Sequence, residues 1–234
     1  MEDRTTKARI LDRAYELAGL YGLESLTIGW LANELAMSKA GIYGHFGSKQ
    51  ALQLETVRHA QSRFLRDIIT PAEAAPDGVP RLWAACVSLV SYSAETGLHG
   101  GDFWVTVFHE YASRSGPVRD AVEATMNWWM RWLEELVTTG TALRQLTSCD
   151  PAQIAFEIQA VLGASSHQHR LRHDPEAASR GKAAILHRLE TLRAPHFPVL
   201  AESSRTTTAI NAQLLNATGL VAQVTDDAAA VPPG

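Results

Sequence analysis

The chain of 234 residues has only two cysteines, Cys86 and Cys149, and they do not fall at a metal-ligand spacing. So sparse a set points to buried thiols rather than to a disulfide framework, a redox pair or a zinc site. No apolar run approaches the roughly eighteen residues that a membrane-spanning helix needs. The opening segment MEDRTTKARIL is charged where a secretory signal would carry an apolar stretch, so a cytosolic location with no membrane partner is expected. The sequence has no G-x-S-x-G, no phosphate-binding loop and no dinucleotide fingerprint, so neither an enzyme nor a cofactor is expected. No convincing alternating strand pattern occurs either. A large excess of one charge is also absent, the formal net charge being −4. The charge is nevertheless uneven. Residues 1–66 hold nine Lys/Arg against seven Asp/Glu, and the remainder holds twelve against eighteen. An acidic protein can still bind a polyanion if its cations are gathered on one small face.

What is present is helical periodicity. Residues 6–21 place Ala8, Leu11, Ala14, Tyr15 and Ala18 on one face, with Gly22 as a stop. Thr27 stands before a short helix over about 28–35. Ala36 and Met37 make a break, and Ser38 then caps a second short helix, KAGIYGHF. Gly47 breaks the chain again, and Ser48 opens a longer helix running to about residue 69. The segment TPAEAAPDGVP reads as a helix break and linker. Further helices are predicted over about 79–95, about 102–114, about 117–139, 151–172 and 176–192, with a glycine turn at Gly97, Gly100 and Gly101. The fold class is all-α. The expected organisation is a helix-turn-helix domain over 1–50, a helical domain over 51–195, and a small, polar, disordered tail over 196–234.

The segment TIGWLANELAMSKAGIYGHFGSK, Thr27 to Lys49, carries the functional signal. Two helices of about seven residues joined by a short turn are a helix-turn-helix pattern. Ala32 provides the small residue where the helices cross. Ile28, Leu31, Leu35, Met37 and Ile42 provide the core side, while Ser38, Lys39, Ala40, Gly41 and Tyr43 leave a narrow, polar outer face suited to a major groove. With the run Ile42-Tyr43-Gly44-His45-Phe46 and the following Ser48-Lys49-x-Ala-Leu, the first third of the chain resembles the TetR family of transcriptional regulators.

That resemblance implies a repressor that binds palindromic double-stranded operator DNA as a homodimer and is released by a small apolar or aromatic inducer. It implies phosphate contacts from Thr27, Tyr43, His45 and Lys49, with Ser38, Lys39, Ala40, Gly41 and Tyr43 at the groove and Lys39 as the best base-reader. Two positions depart from the family pattern. Ala36 stands where Gly or Asn is commoner, and Gly44 stands where a larger residue is common. The last two helices are the implied dimer interface, through Ile154, Ile158, Val161, Leu162 and Ser165 on one and Ala178, Ile185, Leu186, Leu189 and Leu192 on the other. The middle helices would enclose a ligand pocket with aromatic candidates Trp83, Phe103, Trp104, Phe108, Trp128, Trp129 and Trp132, and polar anchors among Asp102, His109 and Glu110. His167, His169 and His173 lie close together, with an i,i+4 pair at 169/173, so a metal-responsive regulator is the alternative reading.

Overall fold

The computed structural model describes residues 2–96 and 103–199, with side chains from Thr6 to Tyr92 and from Phe103 to Val199. Asp102, the glycine turn at 97–101 and residues 200–234 of the expected tail lie outside the described residues. The chain folds as helices α1 (Glu2–Tyr21), α2 (Ile28–Glu34), α3 (Lys39–Phe46), α4 (Lys49–Phe64), α5 (Thr70–Glu73), α6 (Val79–Thr96), α7 (Phe103–Tyr111), α8 (Pro117–Ala142), α9 (Pro151–Arg172) and α10 (Ala177–Leu192). Among the described residues the one β-type pairing is an isolated bridge between Leu146 and Arg193.

The starts of α2, α3 and α4 are set by the same device. Thr27, Ser38 and Ser48 each sit in extended backbone and accept a hydrogen bond from the amide three residues on, at 3.1, 3.0 and 3.0 Å. The stop after α1 is Gly22, at φ 89°. Between α2 and α3 the chain turns through Ala36 at φ 52°, a left-handed conformation that costs an L residue about 1–2 kcal/mol. The Met37 amide donates to the Ala32 carbonyl at 2.9 Å and closes the turn.

Two expectations are corrected. The helix predicted through residue 69 leaves the α pattern at Leu65–Ile69, where a π turn lets the Thr70 amide reach the Leu65 carbonyl. Pro71 offers no amide to the carbonyl of Asp67, so the ladder has to widen just before it, and the adjacent Ile68 and Ile69 both turn inward. The expected linker after residue 69 begins as α5 instead, with Ala72 fully buried against Ala84 and Ala85 of α6.

Beside that small alanine cluster, two large apolar cores form among the described residues. The first joins α1–α4 to α7 and the start of α8, through residues such as Ile10, Ala14, Leu31, Ile42, Leu52, Phe103, Val107 and Tyr111. The second joins α6, α8, α9 and α10, through Leu82, Trp83, Trp129, Leu133, Ile154, Ile158, Ile185 and Leu189. Cys86 lies in this second core, where burial pushes its thiol up to about 12, and Cys149 is half-buried; neither is in a disulfide. The helix α7 therefore belongs to the N-terminal head as much as to the C-terminal body.

Candidate DNA-binding face and ligand cleft

In the N-terminal head, α3 turns Ile42 and Phe46 inward and leaves Lys39, Ala40, Tyr43 and Gly44 exposed, with Gly41 and His45 half-covered. Tyr43 is 57% exposed, an unusual position for an aromatic ring with a core to join. Thr27 and Ser38 spend a lone pair on capping, which leaves each hydroxyl hydrogen for an outside acceptor. Between Thr27 and Lys49 the sole carboxylate is Glu34, and Arg13 and the Trp30 indole (3.3 Å) hold it. The outward face thus carries hydroxyls, amides, a phenol and the Lys39 ammonium, with no opposing anion among the described residues.

Lys49 is placed differently from the rest. Its ammonium donates to the Glu24 carbonyl at 2.6 Å and to the Glu24 carboxylate at 2.7 Å. Gln53 donates to the same carboxylate at 3.0 Å, and the Tyr111 hydroxyl donates to it at 3.3 Å. The hydrogen bond from Lys49 holds the Glu24 carboxyl below the usual range, against the opposing effect of burial, and burial beside Glu24 raises the Tyr111 phenol. A phosphate would have to compete with Glu24 for this lysine.

The helix α7 ties the head to the body. The Glu110 carboxylate accepts from the backbone amides of Leu23 and Glu24 at 2.7 and 3.1 Å. A Cβ at position 22 would stand 2.7 Å from that carboxylate, so Gly22 is needed both for its φ and for this approach. Thr106 donates to the Gly19 carbonyl at 2.9 Å, and Arg170 of α9 reaches both Thr106 and that carbonyl, at 2.7 and 3.2 Å.

The opposite side of α7 faces a cleft. Trp104, Val105 and Phe108 line it, with Phe64 of α4, Leu89 and Val90 of α6, Thr125 and Trp129 of α8, and Gln159, Leu162, Gly163, Ser165, Ser166 and His169 of α9. Its cavity volume is about 50 Å³. Trp104 stacks on Phe108 at 5.4 Å, and Phe64 meets Trp129 edge-on at 5.3 Å. No charged side chain lines it among the described residues.

A model of bacterial regulatory proteins of the tetR family matches residues 10–56, and a model of the tetracyclin repressor-like C-terminal domain matches residues 78–185. Together they cover about two thirds of the chain. The chain belongs to the TetR family. The HTH-type transcriptional regulator BetI of Brucella suis is 29% identical over 178 residues, spanning 74% of this chain and 84% of that protein. A TetR transcriptional regulator from Chloroflexus aurantiacus shares the fold, with a TM-score of 0.72 at 21% identity over 79% of this chain and 93% of that one. AibR, solved in complex with isovaleryl coenzyme A and operator DNA, shares it with a TM-score of 0.63 at 19% identity over 80% of this chain and 97% of that one.

As a TetR-family regulator the chain departs from its sequence-based expectations in three places. First, of the proposed pocket residues, Trp104, Phe108 and Trp129 line the cleft, but Trp83, Trp128 and Trp132 pack in the second core. Phe103 is stacked on Tyr15 in the first core at 5.0 Å. His109 is exposed, and Glu110 anchors the head instead of a ligand. Phe64, Thr125, Gln159, Gly163, Ser166 and His169 were not foreseen as lining, although positions 159, 162, 163, 166 and 169 share one helical face. Second, five of the proposed interface residues, Ile154, Ile158, Leu162, Ile185 and Leu189, are 0–7% exposed and belong to the protomer's own core. The most apolar stripe of α9 faces inward because α9 is packed between α8 and α10. Val161, Ser165 and Leu186 are half-buried, and the outward face of the pair carries Phe156, 64% exposed, with Ala160, Ala164 and Ala184. Third, His173 has left the helix as its left-handed C-cap at φ 52°, and the described residues contain no group of three potential metal ligands, so the three histidines do not converge.

Proposed function

We propose that this TetR-family transcriptional regulator is a homodimeric repressor of the bacterial cytosol that binds a palindromic operator through α3 and is released when a small molecule enters the α4–α9 cleft. The observation that carries the reading is the double role of α7. One side of this nine-residue helix, Trp104 and Phe108, forms the wall of the cleft, and the other, Thr106, Glu110 and Tyr111, is bonded to the end of α1 and to the Glu24–Lys49 cluster at the start of α4. A ligand that displaces α7 must therefore move or release the head. In a dimer that changes the separation of the two recognition helices, and a palindrome can no longer be met at both half-sites.

On this reading Lys39 and Tyr43 make the base and groove contacts, with Ala40 and Gly41 letting the helix seat closely. Thr27, Ser38 and His45 position the phosphates, and Lys49 shares itself between Glu24 and the backbone of the DNA. The partner subunit docks on the outward face of α9 and α10. That AibR has been seen with both an acyl ligand and operator DNA supports the same pairing of functions here. The test is a gel-shift titration of the full chain with its operator in the presence of a library of small apolar molecules. Release by at least one compound, lost on substituting Glu110, is the expected result. An operator affinity that no compound changes would overturn ligand control and leave DNA binding standing.

A further inference from the structure

The cleft contains more chemistry than an apolar wall, and its polar groups are not equivalent. Thr125 donates to the Ala121 carbonyl at 2.9 Å and accepts from Gln61 at 2.8 Å. Gln159 accepts the Trp129 indole N–H at 2.8 Å, and Ser165 donates to the Val161 carbonyl at 2.8 Å. Ser166 and His169 are different. The Ser166 hydroxyl and the His169 Nδ1 are both buried, and among the described residues neither has a hydrogen-bond partner. Ser166 is 2% exposed. They stand one turn apart on the face of α9 that lines the cleft, so their polar atoms serve the same end of it. A buried polar group left unpaired is costly, and native proteins keep few of them. Directly before them on the same face is Gly163, where a Cβ would meet nothing within 4 Å. The helix is therefore hollowed out beside the two orphaned groups.

From this we infer that the effector is an uncharged aromatic molecule with one hydroxyl or carbonyl head, its ring held among Trp104, Phe108, Trp129 and Phe64 and its head hydrogen-bonded to Ser166 and His169. The inference rests on reading the cleft as the effector site. The head is neutral because no lysine, arginine or carboxylate lines the cleft among the described residues to offset an ion taken out of water. The body is aromatic because the ring faces and edges that form the walls favour stacked and edge-on partners. The head also bears directly on control. His169 precedes Arg170, which is bonded to Thr106 of α7 and to the Gly19 carbonyl at the end of α1. A ligand that pulls on His169 acts on the contact that ties the body to the head.

The test is calorimetric titration of the full chain with five probes of similar size: 4-ethylphenol, acetophenone, ethylbenzene, benzoate and benzylammonium. Completing one or two hydrogen bonds should make 4-ethylphenol and acetophenone bind about tenfold or more tightly than ethylbenzene. Benzoate and benzylammonium should bind more weakly than either. In a Ser166→Ala/His169→Phe variant the preference for the polar heads should fall to within about twofold, while ethylbenzene binding is kept. Gly163→Leu, which fills the hollow, should weaken all five, and it guards against a folding defect in the double variant. Tighter binding of either ion, ethylbenzene matching the phenol, or no binding of any probe would overturn the proposal. A gel shift on the same preparation without probe separates the two readings. Loss of operator binding there refutes the regulator and leaves the head-group preference to be judged by calorimetry alone.

Discussion

Replacing Glu110 with Ala should loosen the head from the body. The carboxylate accepts from the amides of Leu23 and Glu24, and Leu23 is fully buried, so water cannot readily replace the lost acceptor at its amide. A hydrogen bond to a charged acceptor contributes about 1.5–3 kcal/mol, and the partial exposure of Glu110 places both bonds toward the lower end of that range. The loss should total about 2–3 kcal/mol, which for a chain of this size corresponds to a fall in Tm of about 5–10 °C. Glu110→Gln retains one acceptor oxygen and turns an amide donor toward the other N–H, so it should lose at least about half as much. His109→Ala, on the exposed neighbour, should change stability by less than about 0.5 kcal/mol. Thermal unfolding followed by circular dichroism and by calorimetry measures all three. If Glu110→Ala melts within about 2 °C of the parent, the carboxylate does not hold the loop after α1, and the route from cleft to head through α7 fails with it.

Ala36→Gly removes the left-handed strain at φ 52° and returns part of the gain as unfolded-chain entropy, so a net stabilisation of about 0.5–1 kcal/mol, read as a Tm rise of about 2 °C, is expected. A lower Tm would contradict a strained left-handed turn at Ala36. Acid should weaken the head through Glu24. Its folded carboxyl is held below the unfolded value of about 4.5, so the Lys49–Glu24 contribution is present above that pH and is lost as pH falls further, toward and through the folded value. Stability of Glu24→Gln should therefore depend less steeply on pH below about 4.5 than that of the parent, and parallel profiles would contradict the pairing. Phe156→Asp should convert dimer to monomer in light scattering while keeping the helical spectrum, because Phe156 is exposed within the protomer. Two symmetry-related rings each lose about 1.5–3 kcal/mol of burial, enough to weaken association about a hundredfold or more. A variant that stays dimeric places the interface elsewhere.

Much of the head was legible because its instructions are local. Thr27, Ser38 and Ser48 are cap residues three positions before the amides they serve, and Gly47 ends α3 at φ 71°, so the bounds of α3 could be read from the order of residues alone. Even the departure at Ala36 showed as a residue type in conflict with its turn. The body was legible as helices but not as faces. A helix with apolar groups on two sides, such as α9, can place Ile154, Ile158 and Leu162 either inward or against a partner, and only the packing of α8 and α10 decides. The cleft was hidden for the same reason. Its polar end comes from Ser166 and His169, residues that on a bare helix look like a solvated face. Lys49 was recognisable by its place in the motif, yet nothing local announced that Glu24, 25 residues earlier, would hold it.

The central claim is that α3 reads DNA, and the most direct measurement is selection of duplex fragments bound by the full chain, sequenced in parallel with a Lys39→Ala/Tyr43→Ala variant. The account predicts that the parent enriches a two-fold symmetric motif whose half-sites are spaced by about one helical turn or a multiple of it, and that the variant loses the sequence preference while keeping its fold. A parent that enriches no motif, or a variant that enriches the same one equally well, would contradict it.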